Sequence, residues 1–140
     1  MKAPVFILTM NAPQGLCIAR SLGRRGIPVI GLDHNPSCIG FSSRYCQPVL
    51  LPDLDEHSEE WLDYLIAHGR RLSEPGVLFP CNDRSLLWIS THWEKLAPYF
   101  RSRIPSVEVV ELLLSKRKTY ERAKALGIEA VSLANKPAEK

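Results

Sequence analysis

The chain has 140 residues, enough for one domain that buries roughly two-thirds of the surface of its unfolded chain. Hydrophobic residues make up 45% of it, charged residues 24%, and the net charge is +3. These values are ordinary for a soluble globular protein, and so mild a charge gives no indication of a nucleic-acid or membrane partner.

The sequence shows no pattern of a targeting or membrane segment. The first apolar run, Val5–Leu8, is too short for a signal peptide, and no run approaches the roughly 20 residues that cross a bilayer. We therefore expect a cytoplasmic protein with reduced thiols. The cysteines and histidines lack the spacing of zinc ligands, so no metal site is expected. They are Cys17, Cys38, Cys46 and Cys81, and His34, His57, His68 and His92.

The stretch Val5–Asp33 predicts a strand, a helix and a second strand. The apolar run Val5–Leu8 leads into a polar loop, a helical pattern follows from Gly15 to about Arg25, and Val29–Leu32 is again apolar. Two buried parallel strands joined by a helix form a right-handed crossover, which indicates an α/β domain. In such sheets ligands bind at the carboxyl ends of the strands, where this polar loop lies.

The rest of the chain continues to alternate short apolar runs with amphipathic helices. Because proline cannot donate to a ladder, Pro48 indicates an edge strand. The overall prediction is an α/β fold with an open, mostly parallel, Rossmann-like sheet and helices on both faces. The further predicted strands are Cys46–Leu51, Val77–Phe79 and Arg103–Ile104. The further predicted helices are Glu56–Leu72, Arg84–His92, Glu94–Phe100, Val107–Leu114 after the cap Ser106, and Lys116–Leu126 between Ser115 and Gly127.

The loop after the first strand lacks the G-x-G-x-x-G pattern of a dinucleotide site, since it leads to a single glycine, Gly15. Asp33 ends the second strand, where dinucleotide-binding folds carry the acid that bonds a ribose hydroxyl. Without the glycines this parallel does not favour NAD. The structural alternative makes Asp33 a turn or cap residue and Gly15 a tight entry to the helix.

Polar side chains gather where the first and fourth strands are predicted to end. Thr9, Asn11 and Gln14 follow the first strand, and Asn82 and Asp83 follow the fourth. If both strands are central, these side chains face one crevice. The candidate substrate-binding residues are Asn11, Gln14, Asn82 and Asp83. Asn and Asp also cap helices, so a structural role stays open. No catalytic constellation can be assigned from spacing.

A basic run begins at Ser115–Lys118 and continues with Arg122 and Lys124. One interpretation is a solvated helix face. A second is nucleic-acid contact, which would need further aromatic or basic residues elsewhere in the chain, and the sequence shows no such set. A third is a single lysine directed at a phosphate.

The segment Leu112–Ile128, LLLSKRKTYERAKALGI, resembles a segment of ATP-grasp enzymes in which leucines and Asp-Lys precede Gly-Ile-Pro. Lys116 stands where that lysine would be, and Ser115 stands in place of the aspartate. Glu129-Ala130 replaces the proline-containing continuation. Resemblance to the pre-ATP-grasp domain of the carbamoyl-phosphate-synthase-like and D-aspartate-ligase-like branch extends to Val5–Asp33, Phe41–Cys46 and Pro80–Asp83.

This resemblance covers Val5 to about Ile128 and implies the N-terminal, substrate-side domain of an ATP-dependent carboxylate–amine ligase. In such enzymes ATP, with magnesium, phosphorylates a carboxylate, and an amine then attacks the acyl phosphate. The resemblance implies a small carboxylate or amino-acid substrate, with Lys116 at an ATP phosphate. The magnesium ligands and the ATP-clamping loop belong to further modules. We therefore expect this chain alone neither to hold ATP or magnesium nor to catalyse.

The predicted organisation is a Rossmann-like pre-ATP-grasp domain over residues 1–114, followed by a linking helix and the start of an ATP-grasp module over residues 115–140. Ile128–Val131 looks like the start of another element and Asn135–Lys140 is polar, which favours one end of a larger protein. The alternative is a stand-alone Rossmann-like module that binds a small metabolite or regulates. The sequence leaves the oligomeric state open, a homodimer included.

Overall fold

The chain divides into two compact units, Met1–Ile104 and Pro105–Lys140, and the computed structural model describes residues 2–129. The strands of the first unit are β1 (Val5–Leu8), β2 (Val29–Asp33), β3 (Cys46–Leu50), β4 (Gly76–Pro80) and β5 (Phe100–Arg101). Its helices are α1 (Pro13–Gly23), a 3₁₀ helix (Ile39–Ser42), α2 (Ser58–Gly69), α3 (Asp83–Thr91) and α4 (Trp93–Leu96). The described part of the second unit contains α5 (Val107–Leu114) and α6 (Lys116–Ala125).

The five strands form one parallel sheet in the order β3-β2-β1-β4-β5. β1 is central, since Leu8 pairs with Leu32 of β2 on one side and with Pro80 of β4 on the other. The chain passes from β1 outward to β3 and then returns to the opposite side of β1, which places the switch point of the sheet between β1 and β4. The predicted α/β fold is confirmed, as is the edge position of the strand that contains Pro48.

The side chains of β1 are buried in two separate cores, one on each face of the sheet. Phe6 and Leu8 pack on the face that α2, α3 and α4 cover, and Val5 and Ile7 pack on the face that α1 and the 3₁₀ helix cover. None of the four is more than 5% exposed. A strand covered on both faces needs an apolar side chain at every position, which explains the unbroken run that begins the chain.

Two tryptophans anchor the larger core beneath α2 and α3. Trp61 is fully buried, and its indole N–H donates to the carbonyl of Pro52 at 2.8 Å. The indole N–H of Trp88 donates to the hydroxyl of Ser58 at 2.7 Å, and the two rings meet edge to face with centroids 6.4 Å apart. Because both polar N–H groups are paired, the rings bury their apolar area without an unsatisfied donor.

The smaller core is built around Met10, which follows β1 and is fully buried. Two glycines leave room for its side chain. A Cβ added at Gly31 would lie 2.9 Å from the Met10 Cγ, and one added at Gly40 would lie 2.5 Å from the Met10 Cε. The loop after β1 is therefore fixed by close packing of a thioether against β2 and the 3₁₀ helix.

The end of the sheet differs from the prediction. The helix predicted over Glu94–Phe100 is present but shorter, since α4 covers Trp93–Leu96. The last strand is β5 at Phe100–Arg101, so the predicted position Arg103–Ile104 is wrong. The Phe100 ring is buried and packs edge to face against Phe6, with centroids 5.2 Å apart. That packing holds the backbone of Phe100 beside β4, where a two-residue strand suffices.

Helix boundaries also shift by a few residues from those predicted. α1 begins at Pro13 rather than Gly15, in keeping with the preference for proline in a first turn. α2 covers Ser58–Gly69 rather than Glu56–Leu72, since the residues before it form a turn in which the N–H of His57 donates to the carbonyl of Asp53. Boundaries are the least determined feature of a helix pattern.

In the second unit, two serines precede helices but act differently. The predicted cap Ser106 makes no capping hydrogen bond with its side chain. Ser115 does cap α6, its oxygen accepting from the N–H of Lys118 at 3.3 Å. The predicted stop is confirmed by Gly127, whose φ of +72° is readily adopted by glycine.

Two predicted features reach past the described residues. The suggested element at Ile128–Val131 lies outside them apart from its first two residues, which have no regular structure, and the polar stretch Asn135–Lys140 lies outside them entirely. Within residues 2–129, no helix combines the length and the apolar character that spanning a bilayer requires.

Replacing Met10 with alanine should destabilise the first unit by about 2 to 5 kcal/mol, because the side chain fills a fully buried site and a cavity would remain. Urea unfolding followed by tryptophan fluorescence measures this. The matched control, Met10→Leu, keeps the volume and should cost less than about 1.5 kcal/mol. Equal and small losses in both variants would contradict the role assigned to this side chain.

Candidate functional site

Two loops meet at the switch point, where β1 and β4 end side by side. The N–H of Cys81 donates to the carbonyl of Leu8 at 3.2 Å. The hydroxyl of Thr9 donates to the hydroxyl of Ser85, also at 3.2 Å. Ser85 is fully buried, so this contact lies beneath the edge of the sheet rather than on it. The loops after β1 and β4 therefore share one polar edge.

Thr9 adopts an unusual backbone conformation, with φ at +65°. A β-branched residue in the left-handed region is strained, by about 1 to 3 kcal/mol, and needs support from its surroundings. The N–H groups of Thr9 and Met10 both donate to the carbonyl of Leu32, and the Thr9 hydroxyl is held by Leu8 and Ser85. The sharp turn that lifts the chain from β1 into the loop is thus held from β2 and α3.

The four candidate substrate-binding residues lie on these two loops and the turns that follow them. Asn11 precedes α1 and Gln14 is in its first turn, while Asn82 is the N-cap of α3 and Asp83 its first residue. All four side chains are exposed. Their elements leave the carboxyl ends of adjacent parallel strands, so the four residues belong to the same edge of the sheet.

Asn82 also has a structural task. Its Oδ1 accepts from the N–H of Ser85 at 2.9 Å, and the Ser85 hydroxyl accepts from the N–H of Asn82 at 3.3 Å, which makes a capping box. The same serine accepts the hydrogen bond from Thr9. Ser85, which the sequence analysis did not single out, is therefore the residue that ties the two loops together.

Asp33 has a structural role at the end of β2. Its carboxylate is only 2% exposed, and it accepts from the N–H of Asn11 at Oδ2 and from the N–H of Asn35 at Oδ1, each at 2.9 Å. Both oxygens thus hold backbone groups, as expected of a turn residue. Because this carboxylate is buried, little of it is open to a ribose hydroxyl, which argues against a dinucleotide site.

A cluster of charged side chains on the same edge was not predicted from the sequence. The guanidinium of Arg84 contacts Asp53 at 2.8 Å and Asp55 at 2.9 Å, and the His34 Nδ1 lies 3.9 Å from Asp53. The N–H of Asp55, and then the charges of Arg84 and His34, hold the pKa of the Asp53 carboxyl below its usual value. The cluster links the loops after β2 and β3 to the start of α3.

Finding this cluster from the sequence would require the strand order. Asp53 and Asp55 follow β3, and Arg84 follows β4, so they meet only because parallel strands end at one edge. The guanidinium of Arg84 is paired with Asp53 and Asp55. The groups that could bind a ligand are therefore the exposed amides of Asn11 and Gln14 and the exposed carboxylate of Asp83.

Lys116, the candidate phosphate ligand, is exposed at the start of α6 in the second unit. Neighbouring cations of the basic run pair with carboxylates within that unit, Arg117 with Glu121 at 3.6 Å and Lys118 with Glu111 at 4.0 Å. A lone lysine can contact a phosphate as a point charge. Over the described part of the chain, no three His, Cys, Asp or Glu side chains are grouped as metal ligands.

Comparisons with known proteins give little further information. No protein-family model matches the chain. A segment of 43 residues is 44% identical to part of the alanine–tRNA ligase of Mycoplasma capricolum subsp. capricolum. That segment is 31% of this chain, and the chain spans only 5% of the length of that enzyme. A similarity so short does not show a family.

Changing Asp33 to asparagine should destabilise the first unit by about 1 to 3 kcal/mol, because the amide offers one acceptor oxygen where two backbone N–H groups need partners. Chemical denaturation monitored by circular dichroism provides the measurement. Asp63→Asn, at an exposed position on α2, is the matched control and should change stability by less than about 0.5 kcal/mol. Equal losses of stability in the two variants would contradict the structural role assigned to Asp33.

The four thiols should react at very different rates. Burial raises the pKa of the Cys81 thiol to about 11, and burial likewise raises the pKa values of Cys38 and Cys46, whereas Cys17 is exposed. At pH 8 we expect Cys17 to react fastest with a disulfide reagent. Cys81 should react about 100-fold more slowly than an ordinary thiol, because less of it is ionised. Cys17→Ser should abolish the fast phase. A fast phase that survives in this variant would contradict the protection of Cys38, Cys46 and Cys81 by burial.

Proposed function

We propose that this chain is the N-terminal, substrate-side domain of an ATP-dependent carboxylate–amine ligase of the ATP-grasp superfamily. One observation carries the proposal: the loops after β1 and β4 are joined at the switch point of a parallel sheet, with exposed polar side chains on both. Ligands bind at such an edge in open α/β sheets. The resemblance of the sequence to pre-ATP-grasp domains supplies the reaction class.

The chemistry of the exposed groups suits a zwitterionic substrate. The side-chain amides of Asn11 and Gln14 can donate to a carboxylate, and the carboxylate of Asp83 can accept from an ammonium group. The proposal therefore assigns a small amino acid to this edge, with Asn11 and Gln14 at its carboxylate and Asp83 at its amine. Asn82 contributes mainly by capping α3.

ATP and magnesium enter only with the further modules of the parent enzyme. When bound there, ATP would supply the phosphoryl group that activates the substrate carboxylate. Lys116 would then contact one phosphate as a point charge. Because the resemblance places the magnesium ligands and the ATP-clamping loop in further modules, the proposal assigns this chain no catalysis of its own.

Exposed apolar side chains in the second unit support the presence of a packing partner. Leu113, Leu126 and Ile128 are 60%, 59% and 58% exposed. Leu113 lies in α5, and Leu126 and Ile128 follow α6. Large apolar side chains exposed in this way are typical of a surface that another module covers. In the parent enzyme we assign that cover to the module that binds ATP.

Steady-state kinetics of the complete protein encoded by the gene test the proposal. With ATP and magnesium, a panel of amino acids should include one that stimulates phosphate release, and hydroxylamine should trap its acyl phosphate. Asn11→Ala should raise KM for that amino acid by about 10-fold, the cost of one hydrogen bond to a charged group, and leave KM for ATP unchanged. Lys116→Ala should raise KM for ATP and leave KM for the amino acid unchanged.

The control for Lys116 is Lys118→Ala, which removes a neighbouring lysine that pairs with Glu111 and should leave both constants unchanged. Absence of amino-acid-dependent turnover, together with amino-acid binding by the 140-residue chain alone, would overturn the ligase and favour a stand-alone metabolite-binding module. Turnover that is insensitive to Asn11→Ala would overturn the assignment of the substrate to this edge.

A further inference from the structure

A pocket lined by arginines lies apart from the switch point. Its volume is 390 Å³, within the usual range for small-ligand sites. We call it the arginine pocket, and it is lined by Arg20, Arg24, Ser42, Ser43, Arg44 and Tyr45. Arg25 lies in the adjoining groove together with Arg20 and Arg24.

The pocket is on the opposite edge of the sheet from the candidate substrate site. Arg20 and Arg24 are in or just after the last turn of α1, and a helix that connects parallel strands runs back toward their amino ends. Arg44 and Tyr45 immediately precede β3, which also places them at that end. The two sites therefore do not share residues.

Close packing fixes the two walls of the arginine pocket against each other. Tyr45 lies directly against the backbone of α1 at Gly23, where an added Cβ would come within 2.3 Å of the Tyr45 Cβ. Only glycine permits this approach. The ring of Tyr45 is thereby held beside the last turn of α1, and Arg44 stacks over it at 4.7 Å from the ring centroid.

The positive charge of the pocket has no carboxylate partner within the part of the chain that the structure describes. Among residues 2–129, no carboxylate lies within 4.0 Å of the guanidinium groups of Arg20, Arg24 or Arg44. Arg84 and Arg117, elsewhere in the chain, both have carboxylate partners. Three guanidinium groups that face one small concavity repel one another unless an anion joins them.

The hydroxyl of Tyr45 adds a directed donor. It accepts from the Arg44 Nη2 at 2.6 Å, which leaves its proton available to an acceptor in the pocket. The hydrogen bond from Arg44, together with the charges of Arg44 and Arg24, lowers the pKa of the Tyr45 phenol from its ordinary value. A donor of lowered pKa between guanidinium groups is well suited to a multiply charged anion.

We propose that the arginine pocket binds a phosphate-bearing small molecule. A phosphate group carries a charge of about −1.5 to −2 and three acceptor oxygens, which matches several guanidinium forks better than a single carboxylate does. Stabilisation of the α1 dipole explains a cation in the last turn of that helix, but it does not explain Arg44, which belongs to another segment. This site goes beyond the proposed ligase function and does not depend on it.

Pyrophosphate titrated into the 140-residue chain at constant ionic strength tests the site. We expect saturable binding, detected as a rise in thermal midpoint and as amide shifts at Arg20–Arg24 and Ser42–Tyr45, while acetate at the same ionic strength gives neither. Arg44→Gln should weaken binding by about 10-fold or more, since it removes a charge-assisted hydrogen bond donor. Circular dichroism verifies that the variant is folded.

Arg70→Gln is the matched control. Arg70 also donates to a tyrosine, with its Nε 3.4 Å from the Tyr99 hydroxyl, but the pocket beside it includes Glu74 and no second arginine. Its substitution should leave pyrophosphate binding unchanged. Equal losses for Arg44→Gln and Arg70→Gln, or equal binding of acetate, would reduce the effect to general surface charge and overturn the proposal. Binding of single-stranded RNA or anionic lipid vesicles without binding of pyrophosphate would overturn it as well.

Discussion

The central position of β1 is the constraint on which the rest of the first unit depends. Its four side chains are buried on both faces, and its backbone pairs with β2 and β4 along its whole length. A strand so enclosed cannot shift without exposing two cores at once. Its carboxyl end is therefore a fixed point, and the loops that leave β1 and β4 are brought together there by the order of the strands.

The edge where the loops after β1 and β4 meet combines polar groups that hold the structure with polar groups that are exposed. The carboxylate of Asp33 accepts hydrogen bonds from two backbone N–H groups. Asn82 and Ser85 bond to each other in the cap of α3. The exposed side chains of Asn11, Gln14 and Asp83 stand on this rigid base. A ligand that bonds to them would meet groups whose backbone is already ordered, which lowers the entropy lost on binding. The strained turn at Thr9 is held by the same base.

Much of the fold could be predicted because its central strands carry strong signals. The run Val5–Leu8 reads as a buried parallel strand, and Pro48 marks its strand as an edge. β5 could not be predicted, since two residues leave no periodic pattern and Phe100 is placed only by its contact with Phe6. The candidate residues lie at the ends of β1 and β4, as their positions along the chain predicted, and their role in binding stays a prediction.

What the sequence did not reveal depends on contacts between distant segments. The ion pairs of Arg84 with Asp53 and Asp55 require knowledge of which strands end beside each other. Likewise, the sequence does not indicate that Arg44 lies beside the arginines at the end of α1, since they belong to separate segments. The role of Gly23 is seen only in the structure, where Tyr45 packs directly against it.

The central claim is that a small amino acid binds where the loops after β1 and β4 meet. Amide chemical-shift mapping of this chain during titration with an amino-acid panel tests it most directly. The account predicts that one member of the panel shifts Thr9–Gln14 and Cys81–Arg84 together while the arginine pocket stays unchanged. Shifts confined to other parts of the first unit, or no shifts with any amino acid, would contradict it.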